Sequence, residues 1–162
     1  MKKLIAIFMV LAAVACSGGG NTYVNEKYGY SVTMPDNFRA QNEDAAMEAE
    51  RGGKLFISSD NCSIDVTADE KTFEYITPAE MLKQGCEFSV SAYDMDENGK
   101  VISQNVTDND FTVVGDDGSY LQAERVLVKG NTVVTLYVRY PSEQREKFDK
   151  ESAEIMKSLQ FN

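Results

Sequence analysis

Alternating apolar and polar residues predict β-strands in the first part of the chain. In residues 30–34 the apolar side chains of Tyr, Val and Met are separated by Ser and Thr, and Pro-Asp-Asn at 35–37 ends the run in a turn. Residues 46–49, 54–58 and 62–67 carry further strand patterns. Asp60-Asn61 is typical of a hairpin turn between the last two.

A helical pattern follows. Thr77 precedes Pro78, and Glu80 stands three residues after Thr77, as in a capping box at a helix start. Apolar residues at 81, 82, 86, 90 and 93 then recur at helical spacing until Asn98-Gly99, which predicts an amphipathic helix. Gly85 either weakens this helix or lets a neighbouring element come close.

The last third repeats the same order of elements. Residues 100–140 are rich in strand-forming residues, and the turn at 129–131 joins 120–128 to 132–140 in a hairpin. From Pro141 onward, apolar residues at 148, 155, 156 and 159 predict a terminal helix with one apolar face. Strands, helix, strands and helix indicate the α+β class, because parallel strands would require helices between most of them.

The first sixteen residues are typical of an export signal. Residues 1–3 include two lysines, residues 4–14 are an unbroken apolar run of eleven, and Ala13-Val14-Ala15 precede Cys16. The run is too short to span a bilayer core of about 30 Å, which needs roughly 20 apolar residues. The ending resembles a lipobox, whose cysteine is acylated, although Ala13 stands where leucine is usual. The alternative is simple secretory cleavage after Ala15.

Acylation of Cys16 predicts an envelope protein held on a membrane by its lipid. Two or three acyl chains anchor a protein stably, whereas one holds only marginally. Residues 1–15 are then the signal peptide, residues 16–22 a short flexible tether, and residues 23–162 a single domain. Ser17, rather than aspartate, resembles the pattern of sorting to the outer membrane of a Gram-negative bacterium.

Charge and composition exclude several functions. The formal net charge is −10, and removal of the two signal-peptide lysines leaves 14 basic against 26 acidic residues, or −12. Such a surface repels nucleic acids and anionic lipid head groups. The chain contains no histidine, which removes Ser-His and Cys-His nucleophile pairs and histidine-containing zinc sites. We therefore expect a protein that is not an enzyme.

Two sites remain candidates. Cys62 and Cys86 are an even pair in an oxidising compartment and predict a disulfide between a strand and the first helix; the alternative is two buried free thiols. Asp94, Asp96 and Asn98 match the first half of a calcium loop. The twelfth position holds Asn105 instead of the bidentate glutamate, so a solvated turn between helix and strand is the alternative to calcium, and no other cofactor is expected.

Both ends of the chain resemble PsbP-like proteins. Residues 25–36, NEKYGYSVTMPD, resemble the family's opening Y-G-[FY]-x-[FVI]-x-[YM]-P, and Tyr-Pro-Ser at 140–142 with Ser-Leu-Gln-Phe at 158–161 resembles its close. The resemblance covers about 140 residues and implies a central antiparallel sheet covered by helices, an α/β/α sandwich. The family includes the extrinsic subunit of the photosynthetic oxygen-evolving complex, a Ran-binding nuclear transport factor and bacterial envelope lipoproteins. It shares a fold and no common catalytic residues.

These observations predict a non-enzymatic envelope lipoprotein that binds a protein partner or assists assembly. The alternative is a carrier that holds a small ligand or metal ion in a groove. A binding module should expose an apolar patch, and a carrier should have a pocket with a few convergent polar groups. A tyrosine-rich surface that includes Tyr23, Tyr28, Tyr75 and Tyr93 is a further hypothesis for the partner site.

Overall fold

A computed structural model describes residues 20–41 and 50–162 of the chain. Cys16, the predicted signal peptide and the strand predicted at 46–49 lie outside the described residues. In the part that the structure describes, no helix is long and apolar enough to cross a membrane.

The described strands form two antiparallel sheets. The larger has seven strands in the order β3-β4-β5-β9-β8-β7-β6, and the smaller has three in the order β1-β2-β10. The strands are β1 Asn21–Asn25, β2 Tyr30–Met34, β3 Arg39–Ala40, β4 Lys54–Ile57, β5 Ser63–Glu70, β6 Lys100–Val106, β7 Asp110–Asp116, β8 Tyr120–Lys129, β9 Thr132–Pro141 and β10 Gln160–Phe161. The helices with described bounds are α1, Pro78–Asp94, and α2, Arg145–Ser158, which follows a 3-10 turn over Ser142–Gln144.

Helix α1 begins as its sequence predicts. The Glu80 amide donates to Thr77 Oγ1 at 3.2 Å, and the Thr77 amide donates to the Glu80 carboxylate at 2.9 Å, which completes the capping box. The helix then buries Leu82 and Cys86 against one face of the large sheet, where Phe111 lies beneath Gly85. A Cβ at Gly85 would stand 2.9 Å from that ring, so the glycine serves close packing of helix on sheet.

The other face of the large sheet packs against α2 and the small sheet. Its core unites β5 and β9, through residues such as Ile64 and Leu136, with β2 and with α2. Tyr30 of β2 is fully buried and its hydroxyl donates to the Gly52 carbonyl at 2.9 Å. Burial raises the pKa of Tyr30 far above its ordinary value, so this hydroxyl stays protonated as a donor.

The helix, sheet and helix layers confirm the predicted α+β class and its PsbP-like sandwich. Several boundaries differ from the sequence prediction. Strand β1 begins at Asn21, within the predicted tether, and β9 continues to Pro141, so α2 begins at Arg145. The separate small sheet was also not expected: β10 follows α2 and pairs Phe161 with Tyr30, a contact between residues far apart in the chain.

The structure does not contain the predicted disulfide between Cys62 and Cys86; both cysteines are buried free thiols, which was the alternative. Cys62 belongs to the core beneath α2 and the small sheet, whereas Cys86 belongs to the core beneath α1. The large sheet therefore separates the two sulfur atoms. Proximity in sequence between a strand and the next helix does not indicate which face of the sheet that helix covers.

Candidate partner-binding groove

A groove of about 510 Å³ runs along one side of α2 on the large sheet. Helix α2 contacts β8, β9 and β2, and the strands β6 and β7 beyond its edge form the outer wall. The apolar lining includes Leu121 and Ala123 on the floor, Ile102 and Val114 on the outer wall, and Met156 on the side of α2. This volume lies within the range of about 300–1,000 Å³ that is typical of ligand-binding pockets.

The strand pattern explains why the groove is there. On β8, Leu121, Ala123 and Arg125 point toward α2, while Val126 and Val128 point toward α1. Ala123 on the strand and Ala153 on the helix line the groove, and their short side chains leave space between the two elements.

Arg125 closes one end of the groove. Its guanidinium donates from Nη1 to the main-chain oxygens of Met156 and Leu159, at 2.8 and 3.1 Å, and from Nη2 to the Asp110 carboxylate at 2.9 Å. The Arg125 and Asp110 side chains are only 19 and 20% exposed. Arg125 thus fixes the C-terminal end of α2 on the sheet and pairs the one carboxylate at this end.

A second ion pair lies at the other end of the groove. The Arg145 guanidinium donates to Asp149 at 3.0 Å, and the Tyr140 hydroxyl donates to the same carboxylate at 2.8 Å. Burial, followed by the hydrogen bond to Asp149, raises the pKa of Tyr140 above its ordinary value. Tyr140 therefore remains a neutral donor at physiological pH.

The arrangement suits binding of an apolar group. Each of the two groove carboxylates is already neutralised by an arginine, and the tyrosine is held protonated, so these groups are poorly suited to abstract protons. The apolar floor instead resembles the centre of a protein interface, and the arginine–aspartate pairs at its two ends resemble the polar rim. The groove can accept apolar side chains while its ends fix their orientation.

The sequence-predicted site residues lie elsewhere. Asp94 ends α1, and Asp96 and Asn98 form the exposed turn after it, where Asp96 accepts the Asn98 amide at 2.9 Å. This is the turn between helix and strand that was the alternative to a calcium loop. Among residues 20–41 and 50–162, no group of three or more His, Cys, Asp or Glu side chains is placed to hold a metal ion. The calcium prediction stays open to measurement.

The two thiols and the four tyrosines are also away from the groove. Desolvation raises the pKa of both Cys62 and Cys86, so neither thiol is activated as a nucleophile. Tyr23 and Tyr28 pack against the core beneath α2, Tyr93 packs on the opposite side of the sheet, and Tyr75 stands 93% exposed before α1. The four therefore do not form one surface.

Sequence reasoning missed the groove because it depends on how α2 sits across strands distant in sequence. Arg125 was one available signal for the groove. It is a charged residue on the inward face of β8, where the other residues are the apolar Leu121, Ala123 and Leu127. A buried cation requires paired partners, so an inward arginine indicates a fixed polar contact.

Comparison with known proteins supports the fold. No protein-family model and no curated protein matches the chain in sequence. Solved structures do match: cyanobacterial PsbP (CyanoP) from Synechocystis sp. PCC 6803 has a TM-score of 0.60 at 14% identity, covering 91% of this chain and 98% of its own. The Ran-binding protein Mog1p from Saccharomyces cerevisiae has a TM-score of 0.58 at 11% identity, and the match covers 90% of this chain and 96% of Mog1p.

A third similar structure is LpqN, described as involved in cell envelope biogenesis of Mycobacterium tuberculosis. It has a TM-score of 0.58 at 12% identity, and the match covers 82% of this chain and 83% of LpqN. Together these likenesses define an α+β domain with two antiparallel sheets. In particular, the chain has the PsbP-like fold that its two end motifs resemble.

Proposed function

We propose that this protein is a non-enzymatic lipoprotein of the cell envelope that binds a protein partner or assists assembly, and that it does so through the groove beside α2. Among proteins of similar fold, Mog1p is described as Ran-binding and LpqN as involved in cell envelope biogenesis. Fold likeness alone does not assign a partner, so the proposal rests on the groove.

The observation that supports a protein partner is the distribution of polarity in the groove. Its floor is apolar, and its two ends carry Arg125 and Arg145, each hydrogen-bonded to an aspartate. Interfaces between proteins have this character, with apolar centres, polar rims and arginine enriched. The occupant that fits is an apolar side chain on a partner segment whose flanking polar groups meet the two ion pairs.

An acylated Cys16 would hold the domain near a membrane. Gly20 lies against Thr33 and Met34, close to Ser158 at the end of α2. Gly20 follows Cys16 by four positions in the chain, a distance of at most about 14 Å when fully extended. A lipid on Cys16 would therefore hold the domain against the bilayer, which under our proposal is the outer membrane. A partner in the envelope would be accessible there.

Lipidation is tested by the mass of the mature amino terminus. We expect wild-type protein to begin at Cys16 with attached acyl chains and to remain in the membrane fraction, because several chains anchor stably. The variant Cys16→Ser should lose the acyl mass and leave the membrane fraction, while Ser17→Ala should keep both. An unmodified wild-type terminus, or recovery of wild type in the cytosol, would contradict the anchor.

A second candidate function is transport of a small ligand, and the volume of the groove favours it. About 510 Å³ over an apolar floor would hold an apolar molecule of moderate size. The two functions differ in what fills the groove: a carrier retains an organic ligand through purification, whereas a binding module retains a protein. Mass spectrometry of the native, detergent-extracted protein distinguishes these outcomes.

The groove itself is tested with a matched pair of variants on α2. Ala153 lines the groove, whereas Lys150 is 88% exposed and is not among the residues that line it. The assay is affinity capture of the tagged protein from native membranes after gentle crosslinking. We expect Ala153→Trp to reduce recovery of the partner about tenfold, which corresponds to a loss of about 1.4 kcal/mol in binding. Lys150→Trp should leave recovery unchanged, since the same bulky residue lies outside the groove.

Equal recovery by both tryptophan variants and wild type would exclude the groove as the contact surface. Circular dichroism and urea unfolding of the two variants verify that each retains the fold. A partner lost equally from both variants would also contradict the assignment, because only one of them fills the groove.

A further inference from the structure

A second cleft of about 250 Å³ lies on the opposite face of the large sheet, beside α1. Phe88, Ser89 and Tyr93 of α1 form one side, and Glu124 of β8 and Tyr137 of β9 form the floor. The described residues that line this cleft include no lysine or arginine. The cleft shares no residue with the groove beside α2.

The carboxylate of Glu124 is the central polar group of this cleft. Ser89 Oγ donates to Oε2 at 2.6 Å, and the Tyr137 hydroxyl donates to Oε1 at 2.8 Å. Burial and the neighbouring Glu124 raise the pKa of Tyr137, so its hydroxyl keeps its proton. Two neutral donors orient the carboxylate but leave its negative charge without a cationic partner inside the cleft.

Aromatic side chains surround this charge. The Tyr93 ring lies directly on Gly115, where a Cβ would stand 2.2 Å from the ring, and Phe88 is 74% exposed at the mouth. Asp96 also lines the cleft and adds negative charge, whereas Asp117 at its edge lies within 3.8 Å of Arg139. Ring faces beside carboxylates attract organic cations through cation–π contacts.

The chain already uses this combination next to the cleft. The guanidinium of Arg139 stacks on Tyr120, with 3.7 Å between its carbon and the ring centroid, and lies 3.8 Å from the Asp117 carboxylate. Arg139 is therefore held at a neighbouring position, and it shows that a guanidinium fits between a ring and a carboxylate on this surface.

We propose that the cleft formed by Phe88, Ser89, Tyr93, Glu124 and Tyr137 binds a guanidinium or ammonium group, supplied by an arginine or lysine side chain of a basic partner segment. The cation would lie against the aromatic walls and pair with Glu124. The net charge of −10 complements a basic segment and favours its approach over long distances. The protein would thus contact partners through two surfaces of different chemistry on opposite faces of one sheet.

The probe for this site is N-acetyl-arginine methylamide, titrated to about 50 mM into the full lipoprotein in neutral detergent micelles at constant ionic strength. We expect saturable changes in the amide spectra of Ser89, Glu124 and Tyr137, with a dissociation constant in the millimolar range. A single ion pair with one or two cation–π contacts supports an affinity of that order. N-acetyl-glutamate methylamide, of opposite charge, should produce no saturable change.

Two variants, each of which removes one negative charge, test whether binding depends on Glu124 itself. Glu124→Gln keeps the size of the side chain and should weaken binding about tenfold, whereas Glu87→Gln, at an exposed position on α1, should leave it unchanged. Phe88→Ala should weaken binding several-fold through loss of one ring. Absence of saturation for wild type, or equal affinity in the two glutamine variants, would overturn the proposal.

Discussion

Replacing Arg125 with methionine is expected to lower the free energy of unfolding by about 3 kcal/mol, because it leaves the partly buried Asp110 carboxylate without its ion pair. The same change removes the hydrogen bonds that hold the main-chain oxygens of Met156 and Leu159 at the end of α2. Methionine is similar in length and apolar, so loss of packing contributes little. Urea unfolding of the full chain, followed by circular dichroism, measures the effect.

Arg145 provides the matched control. It lies at the other end of the groove and also pairs with an aspartate, but both side chains of that pair are nearly half exposed. Arg145→Met should therefore barely move the urea midpoint, since exposed ion pairs contribute little. Adding Asp110→Asn to Arg125→Met should recover part of the lost stability, because it removes the unpaired charge. Equal destabilisation by the two arginine variants would contradict the proposed role of Arg125.

Replacing Gly115 with alanine should destabilise the protein by about 2 kcal/mol through overpacking. A Cβ at this position would stand 2.2 to 2.4 Å from atoms of the Tyr93 ring, well inside contact distance. The ring would have to move, either through rotation of the Tyr93 side chain alone or together with α1. The same substitution should weaken binding of the arginine probe, since Tyr93 lines the cleft.

A double-mutant cycle isolates this contact. In a Tyr93→Ala background the ring is absent, so Gly115→Ala should cost less than about 0.5 kcal/mol. Alanine suits a strand at least as well as glycine, which limits other sources of destabilisation. If Gly115→Ala costs the same with and without Tyr93, the ring does not lie on the glycine and the description of the cleft is wrong.

Local patterns were sufficient for most elements of this fold. The alternation in residues 30–34 gave a strand with those same limits, and the turn at 129–131 joins two long paired strands, as predicted. Thr77, Pro78 and Glu80 marked the start of α1 because capping chemistry depends on residues three positions apart. Such signals depend only on residues close together in the chain, so they can be recognised from the sequence alone.

Contacts between distant segments could not be predicted in this way. Three contacts depend on which face of the sheet each helix covers. They are the pairing of Phe161 with Tyr30, the packing of Tyr93 on Gly115, and the hydrogen bonds from Arg125 to α2. That choice follows from packing of the whole core, and no residue spacing records it. The absence of the expected disulfide between Cys62 and Cys86 has the same origin, because the sheet separates the two cores.

The central proposal, that the groove beside α2 contacts a protein in the envelope, is tested most directly by photo-crosslinking in native membranes. The photoreactive residue p-benzoylphenylalanine would replace Ala153, which lines the groove, and, as the control, the 88% exposed Lys150 of the same helix, which does not line it. We predict one discrete protein adduct from position 153 that is absent from position 150. Adducts with lipid or a small molecule alone at position 153, or an identical protein adduct at both positions, would contradict it.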